Sequence, residues 1–166
     1  SGGKGAALPE GSALAAQPLL VVADTDGDPR EARIRLAAVA ARSEIEAALA
    51  DHIAAVRVVE WSRRDRAVIA RAETRLGALT WTAKPLTDAR PDELGAALAD
   101  GVRDLGLAAL PWTPAADNLR ARVRWLAAQG RDMPDWSDAG LLAALGDWLT
   151  PHLAGLRRAD DLARLD

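Results

Sequence analysis

The stretch ALPWTPAADNLRARVRWL, residues 109–126, decides how the chain is divided, because the residues before it read as short strands and those after it read as helices. Pro111 and Pro114 bracket Trp112 and Thr113, and each proline ring drives the residue before it out of helical space, so the segment is a rigid corner. Trp112 is expected to plug that corner into the core. A helix then begins. Leu119, Val123 and Leu126 recur at i, i+4 and i+7 as its expected buried stripe, with Arg120, Arg124 and Arg131 on another side of the same cylinder.

Upstream, Leu19 to Ala23 is a β-rich run, and Ala32 to Ala40 alternates, with Arg33 and Arg35 on one side and Ile34, Leu36 and Ala38 on the other. The connection Asp24-Thr25-Asp26-Gly27-Asp28-Pro29 is turn chemistry. Its alternating aspartates invite a calcium reading, but Gly27 falls at position 4 of the loop rather than 6, so the run is taken as a hairpin turn. Ser43 with Glu46 reads as a capping box opening a short helix through Leu49. Ala55 to Trp61, Arg66 to Thr74 and Ala78 to Lys84 come next as strands. Three strands, a helix and two or three more strands is the order of an OB-fold.

Downstream of the strands, Pro91-Asp92-Glu93 suits a helix N-terminus, with Leu94, Leu98, Val102 and Leu105 as the apolar stripe and Gly106 as the stop. Ser137-Asp138 caps a helix through Leu149 that Pro151 ends, and Asp160 to Leu165 reads as a final short helix. The fold class expected is α+β. An OB-fold-like β-barrel of five to six strands with one internal helix occupies residues 1–88, and an all-helical extension, incomplete at its end, occupies residues 89–166.

These segments together resemble the C-terminal accessory region of the HrpB family of bacterial ATP-dependent helicases, of the DEAH-box class. The residues that carry the likeness are Gly3-Lys4-Gly5-Ala6, Leu20-Val21-Val22-Ala23-Asp24 and Ala32-Arg33-Ile34-Arg35-Leu36-Ala37 in the strand-rich half. In the helical half they are Leu110-Pro111-Trp112-Thr113-Pro114, Leu119-Arg120-Ala121-Arg122-Val123 and Asp147-Trp148-Leu149 with Pro151, Leu153 and Gly155. The resemblance implies a parent that hydrolyses ATP and translocates on RNA or single-stranded DNA. It also implies an OB-fold here, and ATP and Mg bound in motor domains outside this stretch. Ser1 in place of an initiator Met, and a likeness that starts at Gly3, read as a piece of a longer protein. The motor domains of that same chain and a single strand of RNA or DNA are then the expected partners, with no cofactor in the fragment itself.

Composition bounds the alternatives. A chain of 166 residues buries roughly 70% of its unfolded surface when folded. No apolar run approaches the roughly 20 residues that span a bilayer, so no membrane partner is expected. The absence of cysteine excludes disulfides, thiolate metal sites and thiol nucleophiles, and fits a cytoplasmic location. Net charge is −3, so any binding of nucleic acid must come from a local patch. Gly3-Lys4-Gly5 lacks the upstream glycine and the adjoining Ser or Thr of a Walker A loop. His52 and His152 are isolated, and no nucleophile elbow is present. No catalytic or metal-binding residue is assigned, and an enzyme is the least favoured class.

The candidate site is the loop between the fourth and fifth strands, Trp61-Ser62-Arg63-Arg64-Asp65-Arg66, which places three guanidiniums and an indole in one hairpin. In an OB-fold this loop flanks the oligonucleotide groove, where arginine forks hold phosphates and aromatic rings stack bases. Arg33, Arg35, Arg57 and Arg71 extend the patch if their strand faces coincide, and Lys4 contributes from the first strand. The competing reading makes these arginines an ordinary solvated face, neutralised by Glu60, Asp65 and Glu73, with Trp61 in the core. A rival of another class is a protein-docking module with no direct nucleic-acid contact, built on Leu141, Leu142, Leu145 and Leu149 with Trp136 and Trp148.

Overall fold

In the computed structural model, which describes residues 5–165, the chain is of mixed α+β class. Its strands are β1 (Ala6–Ala7), β2 (Leu20–Thr25), β3 (Ala32–Val39), β4 (Ile53–Ser62), β5 (Ala67–Leu76) and β6 (Leu79–Pro85). Its helices are α1 (Arg42–Ala48), α2 (Pro91–Leu105), α3 (Pro114–Ala128), α4 (Asp138–Ala143) and α5 (Leu145–Trp148). The strands form two three-stranded sheets, ordered β1-β3-β2 and β4-β5-β6. Closure into a barrel needs ladder bonds that join one sheet to the next. The two sheets have none in common among the described residues, so six strands are present without a closed barrel.

The chain divides into two compact units. The first takes in the residues up to Val56 and Ala72–Lys84, and the second takes in Arg57–Arg71 and everything from Pro85 onward. Strands β4 and β5 run from one unit into the other, so the hairpin between them is part of the same unit as the long helices.

In the first unit, β1 pairs parallel with β3 at Ala6↔Ala32 and Ala7↔Arg33, and β2 pairs antiparallel with β3 from Leu20↔Val39 to Thr25↔Ile34. The register slips between Val22 and Thr25. The Asp26 carboxylate then closes the turn by accepting the backbone N–H groups of Asp28 at 3.1 Å and Arg33 at 2.9 Å. That is the turn chemistry expected of this run. Helix α1 starts one residue before Ser43, and the acid that reaches back to its entry is Glu44, which accepts the Ala41 N–H at 2.8 Å. Glu46, the expected capping acid, instead takes the Trp81 indole N–H and the Arg42 guanidinium, and Arg42 also lies over the Trp81 ring at 4.8 Å. The cap moves because a carboxylate on the third helical residue reaches the entry N–H and one two residues later does not.

In the second unit, α2 is the central element. Leu98 and Val102 are fully buried, Leu94, Ala97 and Ala99 nearly so, and Leu145, Leu149, Leu153 and Leu162 from the C-terminal turns pack with them. Gly95 lets α2 approach those turns, since a Cβ there would lie 3.3 Å from the Leu153 and Thr150 backbones. The helix ends at Gly106 (φ 81°), the positive φ expected of a glycine stop. Ser137 caps α4 by accepting the Gly140 N–H at 3.1 Å. The helix expected through Leu149 is broken at Ala144 into α4 and α5, and Thr150–Leu153 and Ala159–Arg164 form 3-10 turns. Arg157 and Arg66 tie this end of the chain to β5 through Val68 N–H to Arg157 O at 2.7 Å and Ala159 N–H to Arg66 O at 3.0 Å.

The corner at residues 109–113 does plug into this core. Trp112 donates its indole N–H to Leu107 O at 2.7 Å and lies 6.1 Å from the Trp148 ring. Thr113 caps α3 by accepting the Ala116 N–H. The inward stripe of α3 differs from the expected one. Val123 is buried, but Leu119 is 50% exposed, and its place is taken by Arg120. That guanidinium sits 5.1 Å over the Trp112 ring, donates to Trp136 O at 3.2 Å and pairs with Asp138. A planar cation with three partners outcompetes one leucine for the inward position.

Candidate nucleic-acid interface

Backbone geometry builds the hairpin first. Strand β4 ends at Ser62, whose hydroxyl hydrogen-bonds the Asp65 carboxylate at 2.7 Å and accepts the Asp65 backbone N–H at 3.2 Å. This closes the turn Arg63–Arg66, and Arg66 adopts a left-handed φ of 48°, which returns the chain to β5. Asp65 is held below the ordinary carboxylate range mainly by the Ser62 hydroxyl, with Arg64 adding to it.

Each candidate side chain of the second unit then has a distinct setting. Trp61 is half-buried against α2, where Gly101 makes room for it, and it donates its indole N–H to Asp104 at 3.3 Å. Arg63 forks onto the same Asp104, with Nε 3.0 Å from Oδ2, yet its side chain stays 83% exposed. Arg64 is 93% exposed and pairs with Asp65 at 3.5 Å. Arg66 is exposed beside it. Arg57 braces β4 to the start of α2, reaching Asp88 at 2.9 Å and Glu93 at 3.3 Å. Arg71 reaches Glu60 at 2.8 Å across the two strands.

These pairings set the local electrostatics. Asp104 lies below its usual range, first because of the Arg63 hydrogen bond and then through Trp61, and Arg63 is raised in return. Asp88 is lowered by Arg57, and Glu93 is lowered first by the Arg90 backbone N–H and then by Arg57. Exposed pairs of this kind are screened by solvent and hold each other only weakly.

Arg33 and Arg35 belong to the first unit, both exposed on one face of β3 near the Asp26 turn. Lys4 lies outside the described residues. Sequence reasoning missed Asp104, which engages both Trp61 and Arg63 from 43 and 41 residues away, and nothing local to the hairpin signals it. Of the residues assigned to a docking face, Leu141, Leu145 and Leu149 are buried in the second unit's core, whereas Leu142, Trp136 and Trp148 are partly buried against it. Among the described residues no group of three or more His, Cys, Asp or Glu is placed to hold a metal ion, and no helix is long and apolar enough to cross a membrane.

No family model matches the chain. It is 34% identical over 173 residues to the ATP-dependent RNA helicase HrpB of Escherichia coli (strain K12), an alignment that takes in 99% of this chain and 21% of that protein. Among solved structures it is similar to a crystal structure of the E. coli DExH-box NTPase HrpB at 33% identity, and to one of the E. coli DEAH/RHA helicase HrpB at 28%. Each covers 97% of this chain and 20% of that one, with a TM-score of 0.45. The resemblance carried by the residues is thus a similarity along nearly the whole chain, and the chain spans about a fifth of the length of the curated relative it matches.

Proposed function

We propose that the chain is a non-catalytic accessory region of a cytoplasmic ATP-dependent RNA helicase, with an OB-fold-like portion that lines the nucleic-acid channel and a helical extension that braces the motor domains. The observation that carries this reading is the 34% identity to an RNA helicase over 99% of the chain. ATP and Mg bind in the parent's motor domains, and the chemistry there is not supplied by this chain.

The hairpin gives the proposal its mechanism. A single strand passing over Arg63–Arg66 meets the guanidiniums of Arg63 and Arg64, 83% and 93% exposed, whose forks are free to turn outward onto phosphate oxygens. Arg64, 93% exposed against 83% for Arg63, makes the first contact of the two. Arg63 comes next by sharing its fork between Asp104 and a phosphate. Trp61 supports the turn from behind, its edge held by Asp104 and its face by α2. Contact is therefore mainly electrostatic and indifferent to sequence. In the first unit, Val21, Val22, Leu36, Val39 and Leu79 are apolar side chains 40–61% exposed, open apolar surface suited to a protein neighbour.

Labelled single-stranded RNA titrated with the chain at two salt concentrations tests the reading by fluorescence anisotropy. Binding that weakens steeply with salt is the expected result, and no binding at low salt overturns the channel role.

A further inference from the structure

The proposed hairpin contact leaves one need unmet. A single strand is held by phosphate pairing and by base stacking, and the indole of the hairpin is already seated on α2. The structure offers an open indole elsewhere in the same unit. Trp125 on α3 is 62% exposed, the most exposed of the large apolar side chains among the described residues. Its neighbours along the helix are Asn118, Arg122 and Gln129, at i−7, i−3 and i+4, so the four share one solvent face.

That face has the shape of a receiving surface as well as the chemistry. Asn118, Ala121, Arg122 and Trp125 line one shallow hollow, and it exists because Ala121 contributes only a methyl group between the longer side chains. Arg122 has no carboxylate within ion-pair distance among the described residues, in contrast to Arg57, Arg63 and Arg120. A flat ring, a fork with no carboxylate partner among the described residues and the Asn118 amide around a hollow match a nucleotide: the base lies on the indole, Arg122 takes the phosphate, and the amide accepts or donates at the base edge or sugar. Burying the indole in the fold would require α3 to turn by nearly half a revolution, which would expose Val123 and break the Arg120 anchor at Trp112, Trp136 and Asp138.

We infer that the solvent face of α3, centred on Trp125 and Arg122, is a stacking site for one nucleotide of a single-stranded RNA or DNA. The inference rests on the accessory-region reading above and adds base stacking on the Trp125 ring, a contact not set by salt, beside one further arginine for the phosphate.

The test uses the 166-residue chain and a labelled single-stranded oligonucleotide, with wild type, Trp125→Ala, Trp125→Phe and the Arg63→Ala/Arg64→Ala pair each titrated across a salt series. Loss of one stacked base weakens binding by about 5- to 150-fold. Trp125→Ala is expected to show that loss with the salt slope unchanged, Trp125→Phe to recover much of it, and the arginine pair to lower the slope instead. Because the indole is exposed, circular dichroism of Trp125→Ala should match wild type. Wild-type binding that Trp125→Ala leaves intact overturns the stacking site alone. A wild type that does not bind at low salt overturns the channel role and this inference together.

Discussion

Replacing Gly101 by Ala puts the seat of the hairpin to a quantitative test. Gly101 is a helical glycine inside α2, where exchange for alanine ordinarily stabilises by about 1 kcal/mol through reduced backbone entropy. Here a Cβ would lie 2.6 Å from Cε3 and 2.7 Å from Cδ2 of Trp61. Those atoms belong to the fused part of a rigid ring, and the ring is tethered at its edge by Asp104. It has to move by most of an ångström, and overpacking of this kind costs about 1–3 kcal/mol. Set against the propensity gain, the clash leaves Gly101→Ala destabilising by up to about 2 kcal/mol, which in a chain of this size lowers Tm by up to about 8 °C. Urea unfolding followed by far-UV circular dichroism gives the free energy. In a Trp61→Ala background the clash is gone, and the same substitution should stabilise by about 1 kcal/mol, so the cycle changes sign. A Gly101→Ala protein as stable as wild type, with the same result in both backgrounds, would refute the seating of Trp61 on α2.

Leu145→Ala should cost about 2–5 kcal/mol, since the side chain is fully buried, whereas Leu119→Ala on the half-exposed face of α3 should change stability by less than about 0.5 kcal/mol; thermal melts of the two distinguish the observed helix face from the expected one. Arg120→Ala should cost about 1–2 kcal/mol, because the stacking on Trp112 goes and Asp138 loses its partner, and it should raise the quantum yield or shift the emission of Trp112, measured by steady-state fluorescence. Asp88, Asp104 and Asp161 all have folded pKa values below their unfolded ones, so their stabilising contribution is complete above about pH 4 and is lost as pH falls through the depressed values. Melting temperatures should therefore hold between pH 7 and 5 and drop toward pH 3, and a flat profile down to pH 3 would contradict these pairings.

What the sequence disclosed and what it hid divide along the range of the interactions. The strands at Leu20–Thr25 and Ala32–Val39, the stop at Gly106 and the cap at Ser137 depend on residues within a few positions of each other, and periodicity and turn chemistry expose them. The face of α3 was not legible, because Leu119 and Arg120 are neighbours and the choice between them was made by Trp112 and Asp138, the latter 18 residues further on. Arg57 and Arg63 stood out as a basic patch, and the acids that engage them, Asp88 in the loop before α2 and Glu93 and Asp104 on α2, arrive from 31 to 41 residues away. The expected barrel drew on the order of strands, which is right, but closure depends on which strand edges meet, and strand order does not encode that.

The central claim is that the β4–β5 hairpin holds the phosphates of a single strand, and the salt dependence of binding measures it most directly. The slope of log K against log salt for single-stranded RNA should fall in magnitude by about 0.7 for each phosphate contact removed, so Arg63→Ala/Arg64→Ala should lower it by about 1.4 and weaken all sequences alike. A double variant that keeps the wild-type slope while remaining folded would contradict the account.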